Sequence, residues 1–187
     1  MEDTLTNLST WGYLALAFFS FGGSLVVVAA AGVLSFMGEM NLVVSLLIAI
    51  TFNFIGDMFL FYLGKYHKED IKPYFEKHKR KIALSTLILR KYGVLAIFIQ
   101  KFLYGIKTLI PISMALSRYD FKKFGFYNAL ASPFFVVVIM LSAYYAGDSI
   151  KALFESFKEY PWVPFVVLAS IIAILWYGME HLTKRKK

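Results

Sequence analysis

Two stretches of this chain are too apolar, for too long, to be placed in water. Residues 41–64, "NLVVSLLIAITFNFIGDMFLFYLG", and 124–147, "FGFYNALASPFFVVVIMLSAYYAG", are apolar almost throughout. A bilayer core of about 30 Å needs about 20 residues of helix per crossing. No water reaches backbone groups at that depth, so only helices and closed barrels span. A barrel strand would alternate polar and apolar residues, and these runs are continuous. The chain therefore reads as an all-α integral membrane protein. Composition agrees, with 59% hydrophobic residues among 187 and a mean hydropathy of +0.63.

The other apolar segments are interrupted. Residues 11–37 carry "SFGGS" in their middle, and 91–117 carry "YGIKTLIP". A last apolar run covers 162–179, and polar stretches lie at 65–90 and 148–160. The order is broken run, unbroken run, polar stretch, then the same again, which is an internal repeat. A shift of 83 residues, without a gap, sets Phe19 on Phe102, Gly22 on Gly105, Phe52 on Phe135, Tyr62 on Tyr145 and Gly64 on Gly147. The repeat halves fall at about 11–64 and 94–147, joined by a linker at 65–91 and followed by a C-terminal transmembrane helix at 162–180.

Charge orients this arrangement. Nine of the twenty Lys/Arg residues lie in 65–91, three at Arg118, Lys122 and Lys123, and four in the terminal "KRKK". If each broken run crossed the membrane once, these groups would be split between two faces. If each is a re-entrant hairpin, entering and leaving on one side, sixteen of the twenty share a face. Basic loops collect in the cytoplasm, so the re-entrant arrangement is the expectation. It places residues 1–10 outside and the C-terminus in the cytoplasm of a multi-pass protein. The two hairpins then enter from opposite faces, an inverted-repeat architecture in which discontinuous helices meet near the midplane. The segment 69–90 begins with acids and ends in an apolar run. It reads either as an amphipathic helix on the cytoplasmic leaflet or as a plain connector. The acidic "MEDTLTNLST" start lacks the basic region of a secretory signal, so the chain is read as mature.

Three ionisable residues fall inside the membrane segments: Asp57, Lys101 and Lys107. Each costs about 2.5–3.5 kcal/mol near a helix centre. The bland alternative is that the lysines snorkel to the interface and Asp57 pairs with one of them as structural glue. The functional alternative is a polar site made by the break itself. Gly105 and Pro111 stop the helix, and the next helix start offers free N–H groups with partial positive charge. Lys101, Lys107, Gly105 and Thr108 would then bind an anion, and Asp57 would take or give a proton. Gly22, Gly23, Ser24 and Pro111 would form the hairpin turns, although the paired glycines could instead permit close helix packing.

Other chemistry is poorly supported. The chain has no cysteine, which excludes disulfides and thiolate sites, and its three histidines are widely spaced. No metal-ligand pattern, Walker loop, dinucleotide fingerprint or Ser/His/Asp set is present. The expectation is a protein that is not an enzyme, with no cofactor and no metal. The net charge of +8 is explained by membrane topology and does not call for nucleic acid.

The stretch "IGDMFLFYLGKY" at 55–66 resembles the G-D-x-x-x-Y-x-x-G pattern of the DedA family, also called the SNARE-associated or VTT domain. The run "KFLYGIKTLIPISMALSRYDFKKFGFYNALAS" at 101–132 resembles that family's R-F-x-P-G-x-R-T motif and the run after it. The resemblance covers about residues 15–150 and implies two opposed re-entrant hairpins in the bacterial inner membrane. It also implies transport of a lipid phosphate by a flippase or scramblase, undecaprenyl phosphate first and a phospholipid second, with proton coupling. The family's intramembrane aspartate matches Asp57, its two arginines match Lys101 and Lys107, and its motif glycine matches Gly105. Its motif proline falls on Tyr104 and its first-hairpin glutamate on Ser24. Lysine keeps the charge of arginine but loses the bidentate fork, and Ser24 cannot carry a proton. The expected partners are membrane lipids, with room for a homo-oligomer. The rival functions are a non-transporting scaffold or assembly factor, and a proton-coupled small-ion or drug exchanger.

Overall fold

The computed structural model describes residues 2–70, 79–103, 107–117, 119–149 and 152. Among these the chain is helical, without strands: α1 (Glu2–Phe21), α2 (Leu25–Phe36), α3 (Leu42–Tyr66), α4 (Lys79–Tyr92), α5 (Ala96–Ile99), α6 (Leu109–Leu116) and α7 (Phe121–Tyr145). Short 3-10 turns at Gly93–Leu95 and Gln100–Phe102 flank α5. Three helical stretches are long and apolar enough to cross a membrane: Leu42–Tyr66, Ile82–Phe102 and Phe121–Tyr145. The chain is a multi-pass membrane protein. Residues 1–145 form one compact unit and 146–187 a second. The C-terminal helix expected at 162–180 lies outside the described residues, as do Tyr104 and Gly105.

The "SFGGS" stretch is a helix stop joined directly to a helix start. Gly23 takes φ +65, a conformation that costs glycine little. Its N–H donates to Ser20 O at 2.8 Å, and the Ser24 N–H donates to Phe19 O at 2.9 Å, which closes α1 in a Schellman motif. Ser24 Oγ then accepts from the Val27 N–H at 3.4 Å and caps α2. The same device recurs at Gly38, with φ +81. There Asn41 caps α3, its Oδ1 accepting from the Val43 and Val44 N–H groups at 3.0 and 3.1 Å. The Asn41 N–H donates to the Tyr13 hydroxyl at 2.7 Å. The start of α3 is thereby fixed beside Tyr13, just past the middle of α1.

The second broken run follows the same plan. It starts earlier than expected, because α4 begins inside the segment read as linker. The apolar end of 69–90, "IALSTLIL", belongs to a helix, and its Ile88 and Leu89 pack against the core instead of lying on a surface. Gly93, with φ +53, separates α4 from α5. Pro111 lies in the first turn of α6 rather than in the turn before it. Its missing N–H would have had no intrahelical partner there, so the helix loses nothing. Pro133 sits inside α7, which continues through it.

The halves pack crosswise. Helix α2 lies on α7, where a Cβ on Gly32 would meet the Met140 carbonyl; α6 lies on α3, where a Cβ on Gly64 would meet Ile112 and Ala115. At Gly56 the backbone of Phe21 leaves no room for any side chain. Two apolar clusters result. One gathers Leu16, Val28, Ala31, Ala49, Phe135 and Met140. The other gathers Phe61, Ile97, Ile110, Met114, Phe124 and Ala131. Along α3 the first cluster precedes the second, and along α7 the order is reversed, so the two long helices run antiparallel. A polar layer lies between the clusters at the midpoint of both.

Candidate functional site

The polar layer is built from two i, i+4 pairs. Asn53 and Asp57 share one face of α3, and Asn128 and Ser132 share one face of α7. Lys101, in the 3-10 turn after α5, projects between them and is almost fully buried. Its Nζ lies 2.5 Å from Asp57 Oδ2 and donates to Asn53 Oδ1 at 2.6 Å and to Ser132 Oγ at 2.8 Å. Ser132 Oγ donates onward to Asn128 Oδ1 at 3.2 Å, and Asn128 Nδ2 donates to the Phe54 carbonyl at 3.2 Å. Two of the ammonium's three N–H donors are used on Asn53 and Ser132, and Asp57 faces the same Nζ as its ion-pair partner. Lys101 does not snorkel. It ties the second break to both long helices, and with Asp57 it adds no net charge.

Lys107 is placed differently. It precedes α6, its backbone N–H donating to Leu103 O at 3.2 Å, and its side chain is half-buried. Its ammonium lies against the turn at Gly23, which is also beside the Asn53 amide; a Cβ on Gly23 would collide with Nζ. Asp57 and Lys101 both act on it electrostatically. No ion pair or hydrogen bond of this ammonium is found among the described residues. The tips of the two broken runs thus meet at mid-height of α3, and the one uncompensated charge at that meeting, among the described residues, is positive.

Of the other expected site residues, Thr108 precedes α6 but makes no side-chain cap bond. Ser24 caps α2 beside the Gly23 turn, while Gly22 is exposed and its position has room for a side chain. Three members of the cluster, Asn53, Asn128 and Ser132, escape sequence reasoning. Their signal is the spacing of four between polar residues inside otherwise apolar runs. Among the described residues no group of acidic residues or histidines could hold a metal.

The described residues thus form a helical membrane protein whose two halves pack crosswise around a buried polar layer. Residues 21–145 match the VTT domain, and the chain belongs to that family, the DedA family. It is similar over its whole length to undecaprenyl phosphate transporter A of Staphylococcus aureus, at 24% identity with 99% of that protein covered. It is also similar to the inner membrane protein YohD of Escherichia coli, at 25% identity over 98% of this chain and 97% of that one. Undecaprenyl phosphate transporter A of Bacillus subtilis is 21% identical, over 98% of this chain and 96% of the relative. No solved structure matches the chain.

Proposed function

We propose that this protein moves a phosphate-bearing lipid across the bacterial inner membrane, undecaprenyl phosphate first and a phospholipid second. The observation that carries the reading is the Lys107 ammonium, held against the Gly23 turn between the two tips, with no counter-ion of its own among the described residues. A cation there would neutralise a headgroup phosphate during its passage through an apolar layer, where an unpaired charge is costly. The names of two relatives support the substrate class, and the name of a third supports the membrane.

In this reading both broken runs are re-entrant. Helices α2 and α6, of 12 and 8 residues, would rise about 18 and 12 Å, short of a full crossing. Each leaves the mid-height junction toward an opposite end of the long helices. Lys101 serves as a positioning residue, and its pairing with Asp57 is where a proton would act. Protonating Asp57 would leave Lys101 uncompensated and raise the net charge of the junction by one, favouring the phosphate. Coupling of proton and lipid then needs no glutamate at Ser24.

The experiment is transport in vesicles. Purified protein reconstituted with a fluorescent polyprenyl phosphate should speed its appearance in the opposite leaflet well above protein-free vesicles. A rate equal to that of empty vesicles, for polyprenyl phosphate and phospholipid alike, would contradict the reading and favour a scaffold.

A further inference from the structure

A second feature lies at the start of α7, away from the junction. A cleft of about 470 Å³ is lined by Val94, Tyr119, Lys122, Lys123, Phe126 and Tyr127. Both lysines are exposed and neither forms an ion pair among the described residues. The nearest acid in sequence, Asp120, is engaged as a cap: its Oδ1 accepts from the Lys123 N–H at 2.8 Å. The cleft thus presents two ammonium groups and two phenols, donors suited to an anion, beside a helix N-terminus that Asp120 already caps.

The surface below the cleft narrows the choice of anion. Phe126, Leu130, Phe134 and Val138 are 63, 52, 52 and 39% exposed. They recur every four residues, a stripe that runs from the cleft along one side of α7. Phe134 packs edge-on against Phe98 and Phe102, with ring centroids 6.3 and 6.4 Å apart. A soluble phosphate or a nucleic acid would use the lysines and leave the stripe bare. A lipid would use both.

We propose that this cleft is a seat for an anionic glycerophospholipid. Its phosphate sits between Lys122 and Lys123, the Tyr119 and Tyr127 rings lie at headgroup level as aromatic residues do at membrane interfaces, and one acyl chain follows the stripe. The seat does not depend on the transport reading. Lys122 and Lys123 lie at the start of α7, whereas Lys107 lies at the junction near its midpoint.

The test uses the purified full chain in detergent, with native mass spectrometry to count retained lipid. Phosphatidylglycerol should be retained over phosphatidylcholine of identical chains. Lys122→Gln/Lys123→Gln should weaken phosphatidylglycerol retention by roughly ten- to thirty-fold. Lys68→Gln/Lys91→Gln, with the same loss of charge at other exposed sites, should retain it. Soluble glycerol phosphate, the headgroup without chains, should not displace it. Unchanged melting temperatures in phosphatidylcholine micelles would show both double variants folded, and the single variants Lys122→Gln and Lys123→Gln should each show part of the loss. Equal phosphatidylglycerol retention by wild type and Lys122→Gln/Lys123→Gln would overturn the proposal. Displacement by glycerol phosphate would overturn the lipid in favour of a soluble anion.

Discussion

Lys107→Gln is expected to slow lipid phosphate transport in reconstituted vesicles by roughly ten- to a hundred-fold. That range corresponds to losing one charge-assisted contact, about 1.5–3 kcal/mol, from the step in which the headgroup is least hydrated. Expression and folding should be near normal, because the Lys107 ammonium holds nothing else in place among the described residues. Lys107→Arg should keep or raise the rate, since a guanidinium grips phosphate through two parallel bonds. Lys68→Gln, at an exposed position beyond the end of α3, is the control. If Lys107→Gln transports as fast as Lys68→Gln, the lysine is not at the path of the headgroup.

The second large effect is on stability, and its signature is non-additive. Lys101→Met removes the partner of a carboxylate that is only 15% exposed, and Asp57→Asn leaves a buried ammonium without its counter-ion. Breaking one side of such a pair costs about 3–5 kcal/mol, whereas removing both charges is often close to neutral. Each single variant should therefore melt well below the wild type, and Asp57→Asn/Lys101→Met should recover most of the loss. Equal and additive losses would mean that the two side chains do not act as a pair. The double variant also separates the two lysines by function. It should still bind lipid phosphate through Lys107, but its transport should no longer respond to a proton gradient.

Much of this architecture is legible in the sequence, and the illegible parts have definite physical causes. The unbroken runs at 41–64 and 124–147 correspond closely to α3 and α7, because a bilayer leaves no alternative to a long helix there. The breaks at "SFGGS" and "YGIKTLIP" are visible because glycine, proline and lysine are costly in a spanning helix. Their roles are only partly separable. Gly23 has the positive φ that the turn requires; the glycines that admit close packing are Gly32, Gly56 and Gly64, which carry no break signal. Pro111 belongs to the first turn of α6, and position alone does not tell such a turn from the loop before it. The apolar end of 69–90 is visible, but the lysines around it make it read as a surface helix or connector, whereas Ile88 and Leu89 of α4 pack against the core. The pairing of Asp57 with Lys101 rather than Lys107 is beyond sequence, since it depends on Asn53 and Ser132 converging from two helices on one ammonium.

The central claim is that both broken runs turn back inside the membrane and meet there. The chain has no native cysteine, so single cysteines report sidedness without background. The direct measurement is labelling of Thr10→Cys, Glu39→Cys, Lys68→Cys and Lys122→Cys by an impermeant maleimide in oriented vesicles. Thr10→Cys and Glu39→Cys flank the first broken run and should label from one face. Lys68→Cys and Lys122→Cys flank the second and should label together from the other. Labelling of Thr10→Cys and Glu39→Cys from opposite faces, or of Lys68→Cys and Lys122→Cys from opposite faces, would mean that a broken run crosses the bilayer, and the meeting of two re-entrant tips would be contradicted.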